Sequence, residues 1–166
     1  MSRSQLRRPS DPPAGGETAG GDPIDGAEDD ELRTTLRARL DGHGLVRTSA
    51  RYEVAVSGGR ATPVGHVRSR RLARGMAAAA RRVRGVSVVE DRMVADDELA
   101  VRVASAISRG PLNRTRRLVV RAEFGRVRIG GVYPSPEARA EALRLGAAVP
   151  GVVAATAARA TDLTTP

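Results

Sequence analysis

The sequence repeats itself. Asp29-Asp30-Glu31-Leu32 returns as Asp96-Asp97-Glu98-Leu99, 67 positions later, and Leu45, Arg47 and Thr48 return as Leu112, Arg114 and Thr115 at the same offset. The register then slips by one. Gly59-Arg60, Gly65, Ser69, Val83 and Gly85-Val86 return as Gly125-Arg126, Gly131, Ser135, Val149 and Gly151-Val152, all 66 positions on. Self-similarity sustained through a single-residue slip implies two copies of one small domain. Each copy is near the lower size, about 55–65 residues, at which a domain folds alone. A pair of small modules without a catalytic constellation is built to bind something rather than to transform it.

Aromatic residues make up 2% of the 166, so the cores must be assembled from Val, Leu, Ala and Met. Such cores bury little area per residue, which predicts modest stability and mutual support between the copies. The absence of cysteine excludes disulfides and thiolate metal sites. Residues 1–28 hold no apolar signal segment. No run approaches the roughly 20 apolar residues that cross a bilayer. The expected compartment is the cytoplasm, with peripheral attachment at the inner membrane face. The net charge is +9, and every basic residue is arginine. Arginine without lysine, beside abundant Ala, Gly and Val, is the signature of high-GC coding, which accounts for part of the high pI. The distribution is more telling: residues 1–28 carry −2, residues 29–95 carry +7 and residues 96–166 carry +4.

Residues 1–28, rich in Pro, Gly, Ser and Asp, cannot bury enough surface to offset chain entropy and are expected to form a disordered tail. The first copy is placed at 29–95, the second at 96–161, and a Thr-rich tail at 162–166. Each copy reads as helix, strand, strand, helix, strand. In the first, Asp29 and Asp30 are read as N-terminal caps, and Leu32, Leu36 and Leu40 share one helical face. Tyr52, Val54 and Val56 alternate as a strand, Ser57-Gly58-Gly59 turns, and the returning strand runs to about Val67. Ser69 caps a second helix carrying Leu72, Met76, Ala79, Ala80 and Val83, which Gly85 is placed to end. Val86, Val88 and Val89 open the last strand. The second copy repeats this with Leu99, Val103 and Ile107, a hairpin through Leu118, Val120, Ala122, Val127 and Ile129, then Ala138, Ala142, Leu145 and Val149, and a strand from Val152. Only Ala95 separates the two copies, so they are closely coupled. The fold class is α+β: two tandem αββαβ domains, each a three-stranded sheet covered by two helices.

A glycine late in the second hairpin strand, then a helix, then Gly-Val and a hydrophobic strand stands here as Gly65-His66-Val67 with Gly85-Val86, and as Gly131-Val132-Tyr133 with Gly151-Val152. This pattern resembles the BON domain family of bacterial modules, over residues ~29 to ~160. The resemblance implies an αββαβ fold, attachment to phospholipid or to other envelope-associated structures, and no enzyme activity. Pro63 departs from it, standing where the family usually has a branched aliphatic. Because proline lacks the ladder donor, an edge strand or a bulge is expected there.

The sharpest candidate site is the second helix of the first copy. Leu72, Met76, Ala79, Ala80 and Val83 form one face, with Arg70, Arg74 and Arg81 opposite and Arg71 and Arg82 on a flank. These five arginines are the candidate lipid-binding residues, competing with the reading of a solvated face. The equivalent outward positions of the second copy are Pro136, Ala140 and Ala147, a smooth face suited to packing against the first copy or a second subunit, or simply to solvent. Arg109, Arg114, Arg116 and Arg117 form a second basic cluster before the second hairpin. Gly65 and Gly131 are assigned to close helix-on-sheet approach, and Gly85 and Gly151 to helix ends. His43 and His66 lack a metal-pair spacing, and no cofactor or metal is expected. The primary expectation is therefore a non-enzymatic tandem that docks on anionic phospholipid through arginines of the first copy. A protein–protein scaffold and non-specific nucleic-acid binding remain as alternatives, the latter favoured by charge but short of stacking aromatics. The sequence leaves the oligomeric state open.

Overall fold

The computed structural model describes residues 23–42, 44–110 and 116–164. Residues 1–22 of the expected tail, His43, Arg114 and the last two residues lie outside them. The first unit comprises α1 (Pro23–Asp41), α2 (Gly44–Ser49), β1 (Ala50–Ser57), β2 (Arg60–Val67), α3 (Arg70–Ala80), β3 (Val88–Val89) and β4 (Arg92–Ala95). The second comprises α4 (Asp96–Ser108), β5 (Arg116–Glu123), β6 (Arg126–Val132), α5 (Pro136–Ala147), β7 (Ala154–Ala158) and α6 (Ala160–Thr164). The expected αββαβ order holds in both. The first helix begins at Pro23 rather than at Asp29, and the expected C-terminal tail contains a helix.

Both sheets follow one plan. β1 and β2 form an antiparallel hairpin in register from Ala50↔Val67 to Ser57↔Arg60, and α3 crosses over to return the chain parallel to β2. In the second unit β5 and β6 are antiparallel and β7 is parallel to β6. Strand alternation does what the sequence requires. Val54 and Val56 point inward and meet Leu36, Leu40, Ala61, Ala73 and Met76 in the first core, while Leu99, Val103, Ile107, Val127, Ile129 and Ala142 fill the second. Ser69 and Ser135 cap α3 and α5, their hydroxyls accepting from the N–H of Leu72 (3.3 Å) and Ala138 (3.2 Å). Both serines thus satisfy N–H groups that a helix start leaves unpaired. Leu163 in α6 is 1% exposed, and α6 packs on β5 and β6.

Four sequence expectations change. β2, which contains Pro63, is the central strand and not an edge. Arg60 and Ala61 pair with Val88 and Val89, and Val64–Val67 pair with Arg92–Ala95. The residue without an N–H therefore stands where the third strand is broken into β3 and β4, so the interruption falls on the partner. The acidic doublets are not caps of their own helices either. The N-cap of α4 is Ala95, without a side-chain bond. Instead Asp29 accepts from the N–H of Gly58 at 3.0 Å, and Asp96 from those of Phe124 at 2.8 Å and Gly125 at 3.1 Å. The first long helix of each unit thus holds that unit's hairpin turn, from within α1 in the first copy and from the start of α4 in the second. Gly65 permits close strand-on-strand approach, not helix-on-sheet approach: at φ +140°, a Cβ there would lie 2.2 Å from the Arg51 carbonyl oxygen. Finally, α3 ends at Ala80, so Gly85 and Gly151, at φ +93° and +95°, turn the chain beyond the helices and toward the third strand.

Candidate functional site

The five candidate arginines of the first unit separate into two groups. Arg70 is held by the second unit and the loop beside it. Its backbone N–H donates to both carboxylate oxygens of Asp97 at 3.1 Å, and its guanidinium lies 3.3 Å from Asp91 and 3.7 Å from Glu98. An acidic residue of the second unit therefore satisfies an N–H at the start of α3, where the helix dipole also favours negative charge. Arg71, Arg74, Arg81 and Arg82 are exposed, and their guanidiniums form no ion pair among the described residues. Arg81 is the C-cap of α3 and Arg82 lies beyond it, so the stripe continues off the helix end rather than along a longer helix.

Beside these arginines lies an apolar groove of about 230 Å³ lined by Gly44, Leu45, Val46, Leu72, Gly75 and Met76. Its walls come from α2 on one side and α3 on the other, and Gly75 leaves its floor without a side chain, with nothing within 4 Å of where a Cβ would stand. Leu45 is 72% exposed, an aliphatic side chain projecting from a short helix at the rim of a cationic face. Sequence reading missed this groove, since the plan of helix, strand, strand, helix, strand left no element at the position of α2. The exposed apolar Leu45, bounded by Gly42 and Gly44, was the available signal.

In the second cluster, Arg109 is the C-cap of α4, and Arg116 and Arg117 open β5 at a bulge, with Arg117 at φ +53°; all three are exposed, and Arg114 lies outside the described residues. Pro136, Ala140 and Ala147 are all exposed, so the smooth face of α5 does not pack against the first unit.

The units are joined by a contact the sequence did not reveal. The Phe124 ring, at the tip of the second hairpin, has the Arg51 guanidinium 4.7 Å from its centroid and that of Arg68 at 5.7 Å. Arg68 also pairs with Glu123 at 2.9 Å. The Nε2–H of His66 donates to the Gly151 carbonyl at 2.9 Å. Gly125 and Gly151 make the approach possible, because a Cβ would lie 2.5 Å from His66 Nε2 at the first and 2.9 Å from Val94 at the second. Phe124 adopts φ +48°, costly for a non-glycine residue and held by the two stacked guanidiniums. The signal was a single Phe at the turn position where the first copy has Gly58.

Among the described residues no cluster of His, Asp and Glu could hold a metal, and no helix is long and apolar enough to cross a membrane. No curated protein matches the sequence. Solved structures with a similar fold include two of CdsD, a structural protein of the type III secretion system of Chlamydia trachomatis. The C-terminal domain of CdsD superposes with a TM-score of 0.55 at 16% identity, covering 76% of this chain and 65% of that one. A second CdsD structure gives 0.56 at 16%, covering 74% and 59%. The chain spans less than two thirds of either, and at this identity the likeness is one of fold. The family model of the BON domain matches residues 28–95 and again 95–156, so the chain belongs to the BON domain family, with two copies in tandem.

Proposed function

We propose that this protein is a non-enzymatic module that docks peripherally on anionic phospholipid, at the inner membrane face, through the α2–α3 face of its first unit. The observation that carries the reading is the adjacency to the Leu45 groove of four exposed arginines that form no ion pair among the described residues. Arg71, Arg74, Arg81 and Arg82 supply attraction of at most about 1 kcal/mol each to an anionic leaflet. Leu45 and the open groove supply a shallow apolar foothold at the headgroup boundary. The larger apolar residues of α3 serve the core, so docking is electrostatic with one aliphatic anchor. Arg70, engaged by Asp91, Asp97 and Glu98, fixes the helix rather than contacting lipid. The BON family is commonly linked to phospholipid binding, which supports the same reading. Stacking on nucleic acid finds less support, because Phe124 is covered by two guanidiniums.

The test is vesicle co-sedimentation at about 150 mM salt, where loose charge attraction is screened beyond roughly 8 Å, with excess DNA as competitor. Phosphatidylglycerol vesicles should retain the protein and phosphatidylcholine vesicles should not. Replacing Arg71, Arg74, Arg81 and Arg82 together by Ala should abolish retention, and Leu45→Ser should weaken it. Absence of binding at that salt refutes docking. A scaffold is the second reading, favoured by the exposed alanine face of α5 and by structural neighbours that are themselves structural proteins. A defined oligomer that survives high salt would move the assignment there.

A further inference from the structure

The second unit carries a cleft of about 490 Å³ lined by Arg128, Gly131, Tyr133, Arg139, Ala157, Ala158, Arg159 and Asp162. It opens where β6 and β7, which run parallel, reach their carboxyl ends, the end at which open parallel sheets generally take ligands. Three arginines line it against one aspartate, leaving a local charge of about +2. None of the three is ion-paired among the described residues, although Arg144 on the same helix as Arg139 pairs with Glu141 at 2.7 Å. The Tyr133 hydroxyl is the one buried side-chain polar atom among the described residues without a hydrogen-bond partner. Such a group normally finds a partner.

The first copy provides an internal control. At the positions equivalent to Arg128, Tyr133, Arg139 and Arg159 it has Thr62, Val67, Ala73 and Met93. The fold is complete there without any of the four polar groups. Their convergence in the second copy is therefore not a requirement of the αββαβ scaffold.

We propose that this cleft binds a phosphate monoester group in its doubly charged form, presented by a soluble phosphate ester or by a lipid headgroup. Guanidiniums match phosphate oxygens with paired N–H donors, and two negative charges balance the local excess. The tyrosine hydroxyl completes the cradle as a neutral donor. Burial raises its pKa, with Arg139 partly opposing, so it keeps its proton at neutral pH. The volume exceeds a bare phosphate and leaves room for the group that bears it. This site is separate from the α2–α3 face and stands or falls without it.

The experiment is calorimetric titration of the full chain with inorganic phosphate at pH 8, at an ionic strength held constant with chloride. One saturable site is expected, weakened about tenfold or more by Arg139→Gln or Tyr133→Phe through loss of a charge-assisted bond. Tyr133→Phe separates binding from folding. It removes an unpartnered hydroxyl, so the thermal midpoint should hold or rise while phosphate binding falls. Absence of saturable binding above the chloride control, or equal affinity in wild type, Arg139→Gln and Tyr133→Phe, overturns the proposal. Glycerol 3-phosphate and phosphatidylcholine vesicles doped with phosphatidic acid then distinguish the source. Binding of the ester assigns a soluble ligand, and Tyr133-dependent binding of the vesicles alone assigns a headgroup.

Discussion

Asp29 and Asp96 occupy the same position in the two copies and do the same work in different surroundings, which makes their comparison a quantitative test. Asp96 is 3% exposed, and its two carboxylate oxygens accept separately from Gly125 N–H at 3.1 Å and Phe124 N–H at 2.8 Å. Truncation to Ala would leave both donors unpaired in a site where water cannot replace the carboxylate without rearrangement. A buried donor left unsatisfied costs about 1–3 kcal/mol, and more where the lost partner was charged. Asp96→Ala should therefore destabilise by roughly 3–5 kcal/mol, a large share of the roughly 5–15 kcal/mol that a domain has. Asp29 accepts one bond, from the exposed N–H of Gly58, which water can satisfy once the carboxylate is gone. Asp29→Ala should cost only about 0.5–1.5 kcal/mol. Urea unfolding followed by far-UV circular dichroism gives both values, and amide exchange at Phe124 and Gly125 localises the effect. Equal losses in the two variants, or less than about 1 kcal/mol for Asp96→Ala, would refute the claim that burial of a turn-holding carboxylate distinguishes the copies.

Gly65→Ala should prevent stable folding of the first unit, since its Cβ would overlap the backbone of β1, whereas Gly75→Ala meets nothing within 4 Å and should raise stability by roughly 0.5–1 kcal/mol through helix propensity; thermal melts decide both. Leu163→Ala should cost about 2–5 kcal/mol if α6 is an integral layer of the second unit, and a loss below that range in urea unfolding would make it a peripheral appendage. The Tyr52 hydroxyl, raised above its ordinary value by burial first and then by its 2.7 Å bond to Asp41 and that group's charge, stabilises the fold fully below pH 10, and this contribution falls as pH rises from there toward the folded value. Tyr52→Phe should therefore be the less stable protein at neutral pH and should lose that disadvantage in alkaline unfolding curves.

What was legible in the sequence follows from where its physics is local. Ser69 and Ser135 sit directly before helical periodicity, and capping depends on only three residues of spacing, so both helix starts were readable. The alternation of Val54 and Val56 and the Gly58-Gly59 turn likewise fixed the hairpin. What escaped was non-local. Asp96 reaches a turn 28 residues away, and Asp97 accepts from Arg70, 27 residues earlier. Both look identical to ordinary helix-start acids until the hairpin and α3 are placed. Pro63 misled because its effect falls on β3 and β4 and not on its own strand. The arginine stripe was readable as helix periodicity. That Arg70 leaves it, and that Leu45 joins it, depends on how α2 and α4 pack.

The two copies together say which of these features are scaffold and which are additions. Shared positions carry the fold: the turn-holding Asp29 and Asp96, the capping Ser69 and Ser135, and the turning Gly85 and Gly151. The charged clusters are not shared. At the positions where the first copy has Arg71, Arg74, Arg81 and Arg82, the second has Glu137, Ala140, Ala147 and Ala148, and it folds to the same plan. Neither cluster can then be ascribed to the needs of the scaffold, and each is isolated on one copy. The interface fixes their relation, because Arg70 with Asp97 and Arg68 with Glu123 and Phe124 pin the units by charge and stacking on two different elements. Such contacts between exposed ions are individually weak, so the joint is strengthened by the two glycines that admit His66 and Val94 at close range. A tandem that builds two chemically different cationic surfaces on one repeated scaffold, and then couples them closely, is organised to present both at once. Loss of the joint, as in His66→Ala with Arg68→Ala, should leave each unit folded and each surface intact while lowering the cooperativity of unfolding. A single unchanged transition in that double variant would show that chain continuity through Ala95 and Asp96, with the remaining Arg70–Asp97 and Arg51–Phe124 contacts, is enough to couple the units.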